Sequence, residues 1–480
     1  MFRPKSQLKR GLVALVAVTI VGCSSSATTA STAPTTPPAT SVPATVAPAS
    51  AAPASAAPST AAALPSCAAA GTITLNVGFS EAGEAILTGF KQQAQAFQTA
   101  NPNVTVNVTA KDWSSSIQTI KLAMSGDNPP DVMQGNEGWA IDGALWKAGL
   151  LLNLDKYATA FGWNDAFPDS ALMVNKFSDD GKTMGQGHLV AVPPAIQYVG
   201  VFYNKALLAQ LGVTDVSTID TKESFLAVLD KAKAAKLLPV MLGDSDKWPA
   251  LHNLSLLNGW YVSPQAISDW VFNKTGSTYD DAGHAQGSTD FRSWMSNGYF
   301  NSDALATSFA DATARFGKGQ GVFFITGTWA LGDVYKSMGT NVGFMLFPAG
   351  QSGKHAAVGG YSLPFTISAK TKYPDCAAAF VNYVTASPAA IAAQIAAGRP
   401  SATKAGASAT IDNPLLTQMV AQYQKLNSEN GLFTWEDWPT PTMFTLMESE
   451  AQLLLGGQVT PAAYGKTIQA NWDKFMTTGQ

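Results

Sequence analysis

Apolar positions after residue 70 switch between a period of two and a period near 3.6. Residues 72–79 (TITLNVGF) are rich in β-formers and predict a strand. Ile86, Phe90, Ala94 and Phe97 then recur at the spacing of an amphipathic helix over 81–100. Asn101-Pro102 stops that helix, because the residue before a proline is steered away from helical backbone. Val104, Val106 and Val108 alternate with polar residues, as in a half-buried strand. Ile117, Ile120 and Met124 form a second helical stripe, and Asp131-Val132-Met133 follows as a short buried strand. Strand and helix alternating in this way predict an α/β sheet covered on both faces. A second α/β set begins near 189–203 and continues with a helix over 222–235, a strand at 238–242 and a long helical stretch over 250–270. Thr460-Pro461 supplies an N-cap and a first-turn proline to a closing helix, whose apolar face is Tyr464, Ile468, Trp472 and Phe475. Nothing repeats at a fixed period, so two α/β lobes are the economical reading.

The N-terminus follows a different pattern. Residues 1–10 hold Arg3, Lys5, Lys9 and Arg10 with no acid, residues 11–22 are apolar, and Cys23 comes next. A basic stretch before a short apolar run reads as an export signal over 1–22. It is too short to span a hydrocarbon core, which needs roughly 20 apolar residues. Ile20-Val21-Gly22-Cys23, followed by three serines, resembles a bacterial lipobox, which implies a diacylglycerol on the Cys23 thiol. Residues 24–66 contain only Ala, Ser, Thr, Pro, Val and one Leu. With so little apolar surface to bury, 23–66 is expected to be a disordered tether, as a coil about 35–40 Å long. Its composition also resembles a glycosylated stalk, although a bare linker is the better reading.

About 410 residues remain, enough for two domains with substantial cores. Removing 1–22 takes four of the 30 basic residues and none of the 33 acidic ones, leaving a net charge of −7. That argues against nucleic acid, which calls for basic patches, and against an anionic solute held by charge alone. Only Arg292, Arg315 and Arg399 remain of the arginines, whereas all 12 tryptophans do. With Cys23 acylated, Cys67 and Cys376 are an even pair in an exported protein, which favours one disulfide. His188, His252, His284 and His355 are scattered without metal-ligand spacing, so no metal and no cofactor is expected.

Four segments in order then resemble one family. Residues 127–155 (DNPPDVMQGNEGWAIDGALWKAGLLLNLD) contain the sequence PDV followed by a glycine and a closing LD. Residues 192–211 (VPPAIQYVGVFYNKALLAQL) carry Tyr203-Asn204-Lys205. Residues 316–329 (FGKGQGVFFITGTW) end in a Gly-Thr-Trp, and 359–372 (GGYSLPFTISAKTK) follow as a hinge-like strand. Each is weak alone. Together, behind a lipobox, they resemble the extracellular solute-binding protein family 1, the maltose-binding-protein type of ABC-importer receptor, over residues 70–478. The resemblance implies a type II periplasmic-binding-protein fold: two α/β lobes joined by three crossings near 195–200, 358–361 and 409–414. Lobe I would be 70–196 and 359–411, and lobe II 197–358 and 412–478. It implies a receptor that captures a neutral carbohydrate between the lobes and delivers it to ABC-importer permease subunits. The receptor would be a monomer, non-catalytic, held by lipid at the outer face of the bacterial cell membrane.

A sugar offers flat C–H faces and a rim of hydroxyls, so its site needs aromatic rings and paired hydrogen-bonding groups. Ser80-Glu81, Asn136-Glu137 and Trp139 lie where strands of the first lobe should end; Glu81 could equally be a first-turn helix charge. Gln197 falls in the first crossing, at a position the family uses for ligand. Trp248 stands at a loop-to-helix entry, where a core role is nearly as good a reading. Trp329 matches the family's stacking tryptophan. Gly360-Tyr361 adjoins the second crossing, where glycine allows close backbone approach. In Trp435-Glu436-Asp437-Trp438 one indole is expected to stack and one carboxylate to bind hydroxyls, with the choice open. Trp113, Trp146, Trp260, Trp270, Trp294 and Trp472 read as core or helix-face residues. Two other readings stand beside this one. The same fold could bind a polyamine or a polyol phosphate, although scarce arginine disfavours phosphate. A secreted glycoside hydrolase would need two carboxylates across a scissile bond.

Overall fold

The computed structural model describes residues 64–479 apart from Ala82. The export signal, Cys23 and nearly all of the 23–66 tether lie outside the described residues. The folded part opens with β1 (Ile73–Phe79), α1 (Glu84–Ala100), β2 (Val104–Ala110), α2 (Trp113–Ser125) and β3 (Val132–Gln134). It continues with β4 (Ala191–Val192), β5 (Ile196–Asn204), α3 (Lys222–Ala234), β6 (Val240–Met241), α4 (Trp248–Asn258) and α5 (Pro264–Val271). Next come β7 (Phe323–Gly327), α6 (Leu331–Met338), β8 (Val342–Met345), β9 (Ala357–Tyr361), β10 (Phe365–Ile367), α7 (Pro374–Ala386) and α8 (Pro388–Ala396). The last labelled elements are α9 (Pro414–Glu429), β11 (Leu432–Phe433) and α10 (Pro461–Thr478).

These form two sheets flanked by helices, one per lobe. The first has the order β2-β1-β3-β10-β4, with β1 parallel to both neighbours and β10 antiparallel to β3 and β4. Its core is aromatic: Phe79 stacks on Phe90 of α1 at 4.1 Å, and Phe90 on Phe365 at 5.4 Å. The predicted stripe Ile86, Phe90, Ala94, Phe97 is the buried face of α1. The second sheet has the order β11-β9-β5-β7-β6, and β8 also pairs with β5. β5 is long because the start of the strand meets β9, with Gln197 opposite Gly360, while the end pairs with β7 and β8.

The closing helix α10 starts as its sequence requires, with the Thr460 hydroxyl accepting from the Ala463 amide, and it buries Tyr464, Ile468, Trp472 and Phe475. The expected helical stretch over 250–270 is instead two helices. α4 ends at Asn258. Ser263 caps α5 by accepting from the Ala266 amide, and Pro264, at the first helical position, has no N–H to continue the earlier ladder.

Cys67 and Cys376 are joined in a buried disulfide that ties the approach to β1 to the first turn of α7, across 309 residues of sequence. Of the tryptophans expected in the core, Trp260, Trp270, Trp294 and Trp472 are buried there, while Trp113 and Trp146 pack against it half-buried. Among the described residues no single helix is long and apolar enough to cross a membrane, and no three His, Cys, Asp or Glu side chains are placed to hold a metal.

Candidate functional site

Parallel strands of both sheets end toward one region, which is where α/β proteins place ligands. β1 runs into Ser80-Glu81, β3 into Asn136-Glu137, β7 into Thr328-Trp329 and β11 into Trp435 to Asp437. Val199 pairs with Gly327 across antiparallel strands, so Trp329 leaves the end of β7 on the side of β5 where Gln197 is paired with Gly360 of β9.

Three predicted tryptophans meet there. Trp248 and Trp329 have ring centroids 6.1 Å apart, as do Trp329 and Trp435. His252, absent from the sequence-based candidates, lies among them: 5.0 Å from Trp248, 5.3 Å from Trp329 and 4.9 Å from Trp435. It follows Trp248 by four residues on α4, so both rings leave the same helix face; that spacing was the available signal. Burial pushes the His252 pKa down to about 3, so the imidazole is neutral, and its Nδ1 has no partner. The Trp329 ring folds back over Gly327, where any Cβ would collide with it. Lys247, immediately before α4, has φ 70°, a left-handed backbone that is unfavourable for a side-chain-bearing residue.

Several expected ligand contacts are instead satisfied inside the protein. Ser80 is fully buried, its hydroxyl shared with Ser116 Oγ at 2.8 Å and the Gln134 carbonyl at 2.9 Å. Glu81 accepts from Arg399 Nη1 at 2.7 Å, Gln134 Nε2 at 2.6 Å and Gln197 Nε2 at 3.3 Å. This buried ion pair engages both Glu81 and Gln197. Arg399 and Gln134, its other members, had no sequence signal, since neither lies near Glu81 in the chain. Asn136 is buried; its amide donates to Asp142 Oδ1 at 3.1 Å and its carbonyl accepts from the Asp142 amide at 3.1 Å. Trp139 is not the exposed ring its polar neighbours suggested: a tight turn over Trp139–Gly143 drives it into the core between Phe177 at 5.2 Å and Phe475 at 5.7 Å. Tyr361 is buried with its hydroxyl bonded to Ser170 Oγ at 2.8 Å. The close backbone approach next to it belongs to Gly359, whose Cβ would strike Tyr198, whereas the space beside Gly360 is open.

The structure also separates the members of the Trp435–Trp438 cluster. Glu436 is buried, accepts from Asn258 Nδ2 at 3.0 Å and lies 3.5 Å from His284 Nε2. Trp438 is buried against Gly138, and its carbonyl accepts from the Trp139 amide at 2.9 Å. Trp435 joins the aromatic cluster, and Asp437 leaves Oδ1 unpartnered. Glu137, 1 % exposed, likewise leaves Oε1 without a partner. Burial is the main cause that holds the Glu137 carboxyl well above the ordinary carboxylate range, reinforced by Asp142, Asp437 and Glu81. Burial and the neighbouring Glu436 push Asp437 up to about 7. Glu448, raised to about 8, sits in the same field. The two lobes touch beside the site, where Ser114 Oγ on α2 donates to Asp246 Oδ1 after β6 at 3.0 Å.

An arrangement of aromatic faces and unpaired carboxyl oxygens at strand ends can hold a small polar solute, and solved structures share its scaffold. A chitin oligosaccharide binding protein superposes with a TM-score of 0.73 at 21 % identity, covering 85 % of this chain and 99 % of that one. A maltose-bound T. maritima protein gives 0.67 at 16 % identity, covering 84 % and 99 %. In sequence, a multiple sugar-binding protein of Streptococcus mutans is 24 % identical over 358 residues, 72 % of this chain and 81 % of that protein. A probable sugar-binding periplasmic protein of Mesorhizobium japonicum is 26 % identical over 257 residues, 51 % of this chain and 55 % of that one. The model of the bacterial extracellular solute-binding proteins matches residues 92–418, more than half of the sequence, and the chain belongs to that family.

Proposed function

We propose that this protein is the extracytoplasmic receptor of an ABC importer and that it captures a mono- or oligosaccharide between its two lobes without turning it over. The observation that carries the reading is the grouping of Trp248, Trp329 and Trp435, with Asp437 two residues after Trp435 in the chain and Glu137 within the field of Asp437. Flat indole faces suit the C–H faces of a pyranose, and unpaired carboxyl oxygens suit its hydroxyls. The names of the sugar-binding relatives support the same class. A solute without anionic groups fits best, because Arg399, the arginine near the site, is already bound to Glu81. In this reading lobe I is 70–196 with 359–411 and lobe II is 197–358 with 412–478. Cys23 carries the lipid that holds a monomeric receptor at the outer face of the membrane, and the permease subunits receive the sugar. A thermal-shift screen against mono- and oligosaccharides tests it: a binder at a hundredfold excess over Kd stabilises by about 2.7 kcal/mol. Chromatography of the same mixtures should show the sugars unchanged, and failure of every sugar to raise the melting temperature would overturn the proposal.

A further inference from the structure

Resting on the carbohydrate reading, we infer that the captured sugar carries a basic amine, whose ammonium group sits between Glu137 and Asp437 and against the Trp248, Trp329 and Trp435 cluster. The charges acting most strongly on Glu137 are Asp142, Asp437 and Glu81, all acids, and Glu436 acts on Asp437. Glu448 adds a further carboxyl, with Asp244, Asp246 and Lys247 around it. Of the cations in the region, Lys247 acts on Asp244 and Glu448, His284 is held by Asp281 and Glu436, Arg399 is bound to Glu81, and His252 is neutral, so none is paired with Glu137 or Asp437. Glu436 is itself taken up by Asn258 and His284.

Buried oxygens without a donor point to a missing partner. Glu137 Oε1 and Asp437 Oδ1 have no hydrogen-bond donor, and Glu137 is 1 % exposed. Thr328, fully buried next to Trp329, also leaves Oγ1 without a partner. A neutral hydroxyl could donate to either carboxyl, but it would leave the group's charge uncompensated in a site with little water, so the carboxyls would have to remain protonated. An ammonium supplies both the donor and the charge. The indole faces add to this preference, because their quadrupole attracts a cation within about 6 Å of the ring. The low arginine content and acidic balance of the chain, which disfavour an anion, place no such bar on a cation.

The test is isothermal titration of the processed protein with matched pairs: glucosamine and glucose, galactosamine and galactose, and the β-1,4-linked glucosamine trimer and cellotriose. At least one amino form should bind tenfold or more tightly than its hydroxyl counterpart and should release protons on binding, seen as a dependence of the heat on the buffer. Glu137→Gln and Asp437→Asn should each bring that ratio close to one while the circular dichroism spectrum stays that of the parent. Hydroxyl sugars binding as well as their amino forms would overturn the inference and leave the carbohydrate reading intact, as would a preference for the amine that survives both substitutions. No binding across the panel would overturn the inference, and spermidine, titrated alongside, binding where no sugar of this panel or of the thermal-shift screen does would overturn both.

Discussion

Trp329 and Trp435 lie with ring centroids 6.1 Å apart and planes tilted by 43°, although 106 positions separate them in the chain, and His252 faces both. Each indole is half-buried, reached from a different strand end, and neither is needed to fill the centre of its lobe. The pair therefore reads as a platform and not as packing. Trp435→Ala is expected to weaken sugar binding at least tenfold, because removing an aromatic face from a water-excluded site costs about 1.5 kcal/mol or more. Titration calorimetry of the variant against the best ligand of the parent checks this, and an unchanged Kd would remove Trp435 from the site.

The Ser114–Asp246 hydrogen bond joins elements that follow different sheets, so it holds the lobes together. Asp246 also accepts from the Phe309 amide at 2.7 Å, which makes Ser114 the cleaner target. Ser114→Ala should raise the ligand dissociation rate about two- to tenfold, in keeping with the ~0.5–1.5 kcal/mol net worth of one hydrogen bond. Stopped-flow tryptophan fluorescence would show it; equal off-rates would mean that this contact plays no part in holding the sugar.

The buried carboxyls give the empty protein a particular response to pH. Asp437 is raised to about 7, and Asp244 and Glu448 to about 8, so the folded state holds protons that the unfolded chain releases near pH 4. A raised acid stabilises at low pH and loses its contribution as pH climbs. The melting temperature of the ligand-free protein should thus fall from pH 5 to pH 8. Asp303 and Glu429, lowered to about 2, act with the opposite sign and only below about pH 4. Calorimetry of Asp437→Asn should give a shallower decline than the parent; an unchanged slope would mean that Asp437 is already ionised in the ligand-free fold.

Much of the architecture was legible because it is local. The α1 stripe, the Thr460 cap of α10 and the alternation of β2 depend on neighbours within a few residues, and each formed where the spacing placed it. The error over 250–270 was also local, since Ser263-Pro264 is a start signal inside an apolar run. The site was less legible because its polar groups are assigned by tertiary pairing. Glu81 and Arg399 are 318 positions apart, and Asn258 and Glu436 are 178. Nothing in the composition of the Trp435–Trp438 segment shows which carboxylate Asn258 will occupy. Trp139 misled for a related reason: polar neighbours do not reveal that a turn will rotate the ring toward Phe177 and Phe475.

The Cys67–Cys376 bond closes a segment of 309 residues. In the chain-entropy model a loop of this size is worth about 5–6 kcal/mol, above the roughly 2–4 kcal/mol that disulfides typically contribute. Cys376→Ala should lower the melting temperature by several degrees and leave sugar affinity unchanged, because the bond joins two parts of the first lobe. A loss of affinity larger than the loss of stability can explain would place the disulfide in the closing motion.

Anchoring depends on Cys23 alone in this account. Cys23→Ala should move the protein from the membrane fraction to soluble or unprocessed material, as followed by immunoblotting of fractionated cells. Equal membrane association of the variant would contradict the lipid assignment.

The central claim is that this receptor holds a sugar on the Trp329 platform, and titration of the parent and Trp329→Ala with the best sugar of the thermal-shift panel tests it most directly. Trp270→Ala serves as a control: truncating this buried ring should cost about 3–5 kcal/mol of stability. The account predicts a saturable change in tryptophan fluorescence for the parent, a more compact particle in small-angle scattering with sugar present, and no detectable binding by Trp329→Ala at unchanged fold. A Trp329→Ala variant that binds the same sugar with the parent's affinity would contradict it.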